Sequence, residues 1–210
     1  MKPLNFNPRK AFTMLELVFV IVIVGILSYF AAASFQRNTV QEAADQIVSH
    51  IRYTQHLAMV DDKFSPTTPQ WYRNQWHITF GQDAGSSNEW VYSILSANQV
   101  GTYAKNPLDN TKLLSSLSTV TEASRTKELG IQKKYGVTNV TFTNCPTSTT
   151  SSLSIYFDNL GRPYGNKAAV TAPYTNLFTG ICIIVLGNGN AVDNITIEIS
   201  PETGYVTAHK

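Results

Sequence analysis

Charge is scarce in this chain, at 14% of 210 residues, and it nearly balances: 16 Lys and Arg against 14 Asp and Glu. Nothing global therefore points to nucleic acid. Cysteine is rarer still. Cys145 and Cys182 form no Cys-x-x-Cys pair, which argues against a zinc site or a dithiol redox motif. They either pair in an oxidising compartment, or stand as two thiols with Cys182 a core residue of a strand. Of the four histidines, His50 and His56 lie six apart on a helical stretch and point to different faces, a poor metal pair. His77 reads as structural beside Trp76. Gly-x-Ser-x-Gly, phosphate-loop and histidine–carboxylate spacings are absent. No catalytic residue, metal ligand or cofactor is expected, and the chain does not read as an enzyme.

What the chain does have is one long apolar run. Residues 9–30 read RKAFTMLELVFVIVIVGILSYF, and residues 17–35 carry no charge. Residues 15–33 approach the roughly 20 needed to span a bilayer core. Lys2, Arg9 and Lys10 precede the run, which predicts a cytoplasmic N-terminus and an exported remainder. A cleaved signal peptide would have a shorter apolar core and a small-x-small site after it. A plain anchor fits the length but gives no reason for Glu16. An ionised carboxylate at a helix centre costs on the order of 2.5–3.5 kcal/mol. Near the helix start headgroups and the helix dipole reduce that cost, so an interfacial cap is the plain alternative for Glu16.

The stretch KAFTMLELVFVIVIVGIL resembles the N-terminal signal of type IV pilins and type II secretion pseudopilins. The resemblance rests on a basic leader, a phenylalanine, a glutamate four residues later and an apolar run. It implies cleavage between Ala11 and Phe12 by a prepilin peptidase, which also methylates the new N-terminal Phe12. Ala11 stands where the family usually has glycine. The resemblance further implies that Glu16 meets the free amine of Phe12 on a neighbouring subunit. The pair would set the axial register of a filament whose helices form a dry core. The expected partners are other pilins or pseudopilins, the peptidase, the inner membrane and an assembly platform.

Beyond the run, Val40, Ala43, Ala44, Ile47, Val48, Ile51 and Ala58 fall near a helical period. One continuous helix is expected from about residue 13 to about residue 60, roughly 70 Å long. Residues 65–69 (SPTTP) stop it. Strands follow: QWHITF (75–80) and WVYSIL (90–95) as a hairpin, then VTNVTFT (137–143) and LSIYFD (153–158). GICIIVL (180–186) is a buried strand, and ITIEIS (195–200) turns back into residues 205–207. Residues 98–134 read as a long polar loop with a short helix. Asp158-Asn159 and Asp193-Asn194 are turn-formers or cation ligands. A basic group of Arg125, Lys127, Lys133, Lys134 and Lys210 is diluted by Glu122 and Glu128, so nucleic acid is not an expected partner.

These readings give an α+β protein, a long N-terminal helix on an antiparallel headpiece. Its parts are a leader (1–11), a membrane or filament-core helix (12–35), an amphipathic helix (36–62) and a β-rich headpiece (63–210). Ser, Thr and Asn abound after about residue 60, as suits a periplasmic domain. The stretch IVSHIRYTQHLA (47–58) is similar to H-type minor pseudopilins of type II secretion, and to a related minor type IV pilin concerned with pilus priming or DNA uptake. That resemblance implies a headpiece of two packed antiparallel sheets.

Overall fold

A computed structural model describes residues 13–34, 38–96, 102–146, 148–168 and 170–210, with the side chains of 30–34 left out. The chain divides into two compact units, Met1–Arg37 and Asn38–Lys210.

In the first unit helix α1 spans Met14–Ser34. The Thr13 hydroxyl accepts the Glu16 N–H at 3.3 Å, and its carbonyl accepts the N–H groups of Glu16 and Leu17. Thr13-x-x-Glu16 is thus an N-terminal capping sequence. Its Val and Ile residues are mediocre helix formers, and no polar face runs along the helix. Among the described residues no helix is long and apolar enough to cross a membrane.

The second unit opens with helix α2, Thr39–Val60. The single continuous helix expected from the hydrophobic pattern is instead two. Asn38 sits outside the helical region at φ −81°, ψ 93°, and its side-chain oxygen takes the Gln41 N–H at 3.1 Å. An asparagine that satisfies a first-turn N–H begins a new helix better than it continues an old one. The buried stripe of α2 is Val40, Ala43, Ala44, Ile47, Val48, Ile51, Thr54 and Ala58. The seven apolar positions read from the periodicity are all in it. Thr54 joins them because its hydroxyl bonds the His50 carbonyl at 2.7 Å.

Two four-stranded antiparallel sheets take up that stripe. The first runs in the order β2-β1-β6-β7 and the second β10-β9-β8-β5. In the first sheet β1 is Trp76–Asp83, β2 Glu89–Ser96, β6 Ser152–Phe157 and β7 Pro163–Tyr164. In the second, β5 is Asn139–Thr143, β8 Cys182–Gly187, β9 Ile195–Ile199 and β10 Val206–His209. α2 lies against β1 and β6 of one and β8, β9 and β10 of the other. The inward faces supply Ile78, Phe80, Tyr92, Ile155, Phe157, Ile184, Ile197 and Ile199, all fully buried. Period-two alternation puts those residues on one face of each strand.

The polar stretch read as a loop holds more order than its pattern suggests. A small hairpin, β3 (Lys105–Asn106) and β4 (Asp109–Leu113), is followed by the short helix α3, Ile131–Tyr135. Leu114 accepts the Ile94 N–H at 2.9 Å, and Ile94 accepts the Ala104 N–H at 2.9 Å. The stretch therefore covers the outer edge of β2. That edge pairing comes from isolated backbone contacts, which leave no alternation in the sequence.

Candidate assembly surface

The feature that sets α1 apart is uncompensated apolar surface. Leu17, Val18, Phe19, Ile21, Val22 and Leu27 are each more than half exposed. A helix apolar all round belongs inside something else: a protein core, a bundle or a membrane. Glu16 is the single charged side chain on its described length, in the first turn, where a carboxylate faces the positive end of the helix dipole. Ala11 and Phe12, the expected cleavage and methylation positions, lie outside the described residues.

Thr13 was not singled out by sequence reasoning, although T-x-x-E before an apolar run is a legible signal. The same holds for Asn38, which stands directly before the amphipathic stripe.

Cys145 and Cys182 are disulfide-bonded. The bond ties the segment after β5 to the first residue of β8, across a separation of 37. Cys182 is wholly buried, so the reading of it as a core residue holds alongside the pairing.

The remaining polar candidates resolve into structure. Asp158 is buried and accepts the N–H groups of Leu160 and Arg162 at 3.0 and 2.9 Å. It also takes Arg162 Nε at 2.7 Å and the Tyr164 hydroxyl at 3.2 Å. With four donors around it, Asp158 builds the β6–β7 turn. Asp193 takes the side-chain amides of Asn188 and Asn190 at 3.3 and 3.5 Å. Among the described residues no group of three His, Cys, Asp or Glu is placed to hold a metal. His77 is buried, its ring stacked on Tyr156 with centroids 4.0 Å apart. Burial pulls it down to about 4. His50 bonds the Tyr92 hydroxyl at 2.7 Å, and burial likewise pulls it down to about 4. His56 takes no part in that contact.

A buried lysine has no sequence signal at all. Lys167 is 1% exposed, its Nζ 2.7 Å from Gln75 Oε1 and 3.5 Å from the Tyr164 ring centroid. Burial draws its ammonium down to about 7, with Asp158 opposing. Its partners come from β7 and the segment before β1, brought together only by folding.

Two members of the basic group have acidic partners. Lys127 meets Glu122 at 2.7 Å, and Arg125 approaches Glu122 at 3.5 Å. No family model, curated protein or solved structure matches the chain.

Proposed function

We propose that this chain is a structural subunit of a prepilin-type filament, and specifically a minor pseudopilin of a type II secretion system. The leader is removed before Phe12, the new amine is methylated, and α1 enters a bundle of like helices. The bulk of the chain, 38–210, stands on the periplasmic side of the inner membrane as the headpiece. A minor type IV pilin would use the same chemistry, and the neighbouring genes separate the two readings.

One observation carries most weight. α1 exposes an all-round apolar surface along its described side chains, with a lone carboxylate in its first turn. Its backbone helix continues to Ser34, about 31 Å in all, comparable with a bilayer core. A helix apolar on all sides calls for apolar surroundings, and a bundle of like helices supplies them. In hydrocarbon Glu16 carries a desolvation cost that the helix dipole offsets only in part. An amine from a second copy offsets it. The disulfide supports an oxidising compartment for the headpiece.

The test is Glu16→Ala in the full chain. It is expected to insert and be cleaved normally while filament incorporation falls by an order of magnitude or more, as for loss of one partner of a buried charge pair. Normal incorporation refutes the role of Glu16. Mass spectrometry of the native protein should find a mature form beginning at methylated Phe12. A functional protein that retains residues 1–11 refutes the whole reading.

A further inference from the structure

The headpiece is electrically lopsided. Residues 105–134 hold six Lys and Arg against three Asp and Glu, while the rest of 38–210 holds six against ten. The cationic stretch forms one wall of a cleft of about 740 Å³. α2 supplies the other wall through Gln46, His50 and Tyr53. Leu108, at the β3–β4 turn, stands over the cleft at 96% exposure. Lys112, Arg125 and Lys127 line it, with Asp109 and Glu128 as the opposing acids. Lys127 is 70% exposed in its pairing with Glu122. Arg125 Nε is buried without a hydrogen-bond partner, a state that asks for an acceptor.

The complementary surface lies on the same molecule, at the far end of α2. Val60 is 71% exposed and Leu160 65%. Gln55 Nε2 donates to the carbonyls of Gly161 and Thr203, each at 2.8 Å. That tie sets the loops bearing Leu160 and Glu202 beside the last turns of α2. Asp62 and Glu202 are exposed there. The result is an apolar knob with exposed carboxylates at its rim, Lys63 there being taken up by Asp61, where the cleft is an apolar mouth with cations in its wall.

We propose that the cleft of one copy receives the end of α2 from a second copy. Val60 and Leu160 meet Leu108 and Tyr53, and Asp62 and Glu202 face Lys112 and Lys127. The two surfaces occupy different parts of one headpiece, so the contact is heterologous and propagates instead of closing a two-fold dimer. Opposed charge fixes the register and speeds encounter. The inference rests on the filament reading for its setting and adds which headpiece surfaces touch.

The test uses the full chain with two added cysteines, Leu108→Cys and Val60→Cys, and a short bismaleimide linker that leaves the native disulfide alone. The double variant is expected to give a ladder of linked multimers, and each single variant none. Lys127→Glu should weaken the ladder about tenfold, and adding Asp62→Lys should restore it. Assembled filaments that give no ladder overturn the proposal while leaving the filament reading intact. Dimers from either single variant also overturn it, since they mark a two-fold contact. A ladder in cells whose functional protein still carries residues 1–11 supports the docking and defeats the filament reading instead.

Discussion

Two helices of almost equal length, 21 residues in α1 and 22 in α2, use apolar residues in opposite ways. Ile21 in α1 is 62% exposed, whereas Ile51 in α2 is fully buried. α2 keeps its apolar side chains to one stripe and finds partners for them in its own chain, on two sheets. α1 is apolar on every side and finds none among the described residues of its unit. One helix is complete as folded; the other has no cover among the described residues of its own unit. Stability and assembly should therefore separate cleanly between the two units.

The largest effect expected on the headpiece is loss of the disulfide. Replacing Cys145 and Cys182 by Ala should lower its unfolding free energy by about 4 kcal/mol, because the bond closes a loop of 37 residues. Denaturant titration followed by circular dichroism reads it, and the same pair of substitutions should leave helix α1 unchanged.

Next comes the direct contrast. Ile51→Ala should cost about 3 kcal/mol through lost burial and a residual cavity. Ile21→Ala should leave the headpiece transition where it was and, on the proposed filament role, appear only in filament incorporation. A shift of the headpiece midpoint by Ile21→Ala would break the comparison.

pH gives a somewhat smaller effect. His77 and His50 are drawn down from 6.5 to about 4 by burial. Between those values the unfolded chain binds protons that the folded headpiece refuses, so stability falls as pH drops from about 6.5 toward 4. For His77 the loss is on the order of 2–3 kcal/mol. Thermal unfolding at pH 7 and pH 4.5 should show the drop, and His77→Phe should flatten it.

The smallest effect is at the start of α2. Asn38→Ala removes the oxygen that takes the Gln41 N–H and should cost about 1 kcal/mol. Asn38→Asp should be nearly silent. A larger loss for Asp would mean that the side chain does something other than cap.

Much of the architecture was legible, and the failures have physical causes. The hairpin of residues 75–80 and 90–95 is β1 with β2, in register Ile78 to Ile94 and Phe80 to Tyr92. Alternation revealed it because one face of each strand is buried. The continuous helix was a misreading, since periodicity registers which face is apolar and is nearly blind to a break between two helices. Asn38 carried the missing information as a capping residue. The β3–β4 region was missed because its strands are two and five residues long, too short to show a period. Of the candidate site, Glu16 was visible from its oddness among apolar neighbours. The cleft was not, because its walls come from residues 46–53 and 106–129, far apart in the chain.

Sequence alone determined where apolar residues concentrate, which stripe of α2 is buried, where strands alternate and where turns must fall. Each of those is set by neighbours a few positions away. Only the tertiary structure decided that Cys145 meets Cys182, that Lys167 lies buried over Tyr164, and that a cationic wall faces α2. Those depend on distant segments converging, and the free energy that selects one convergence over another is spread across the whole core.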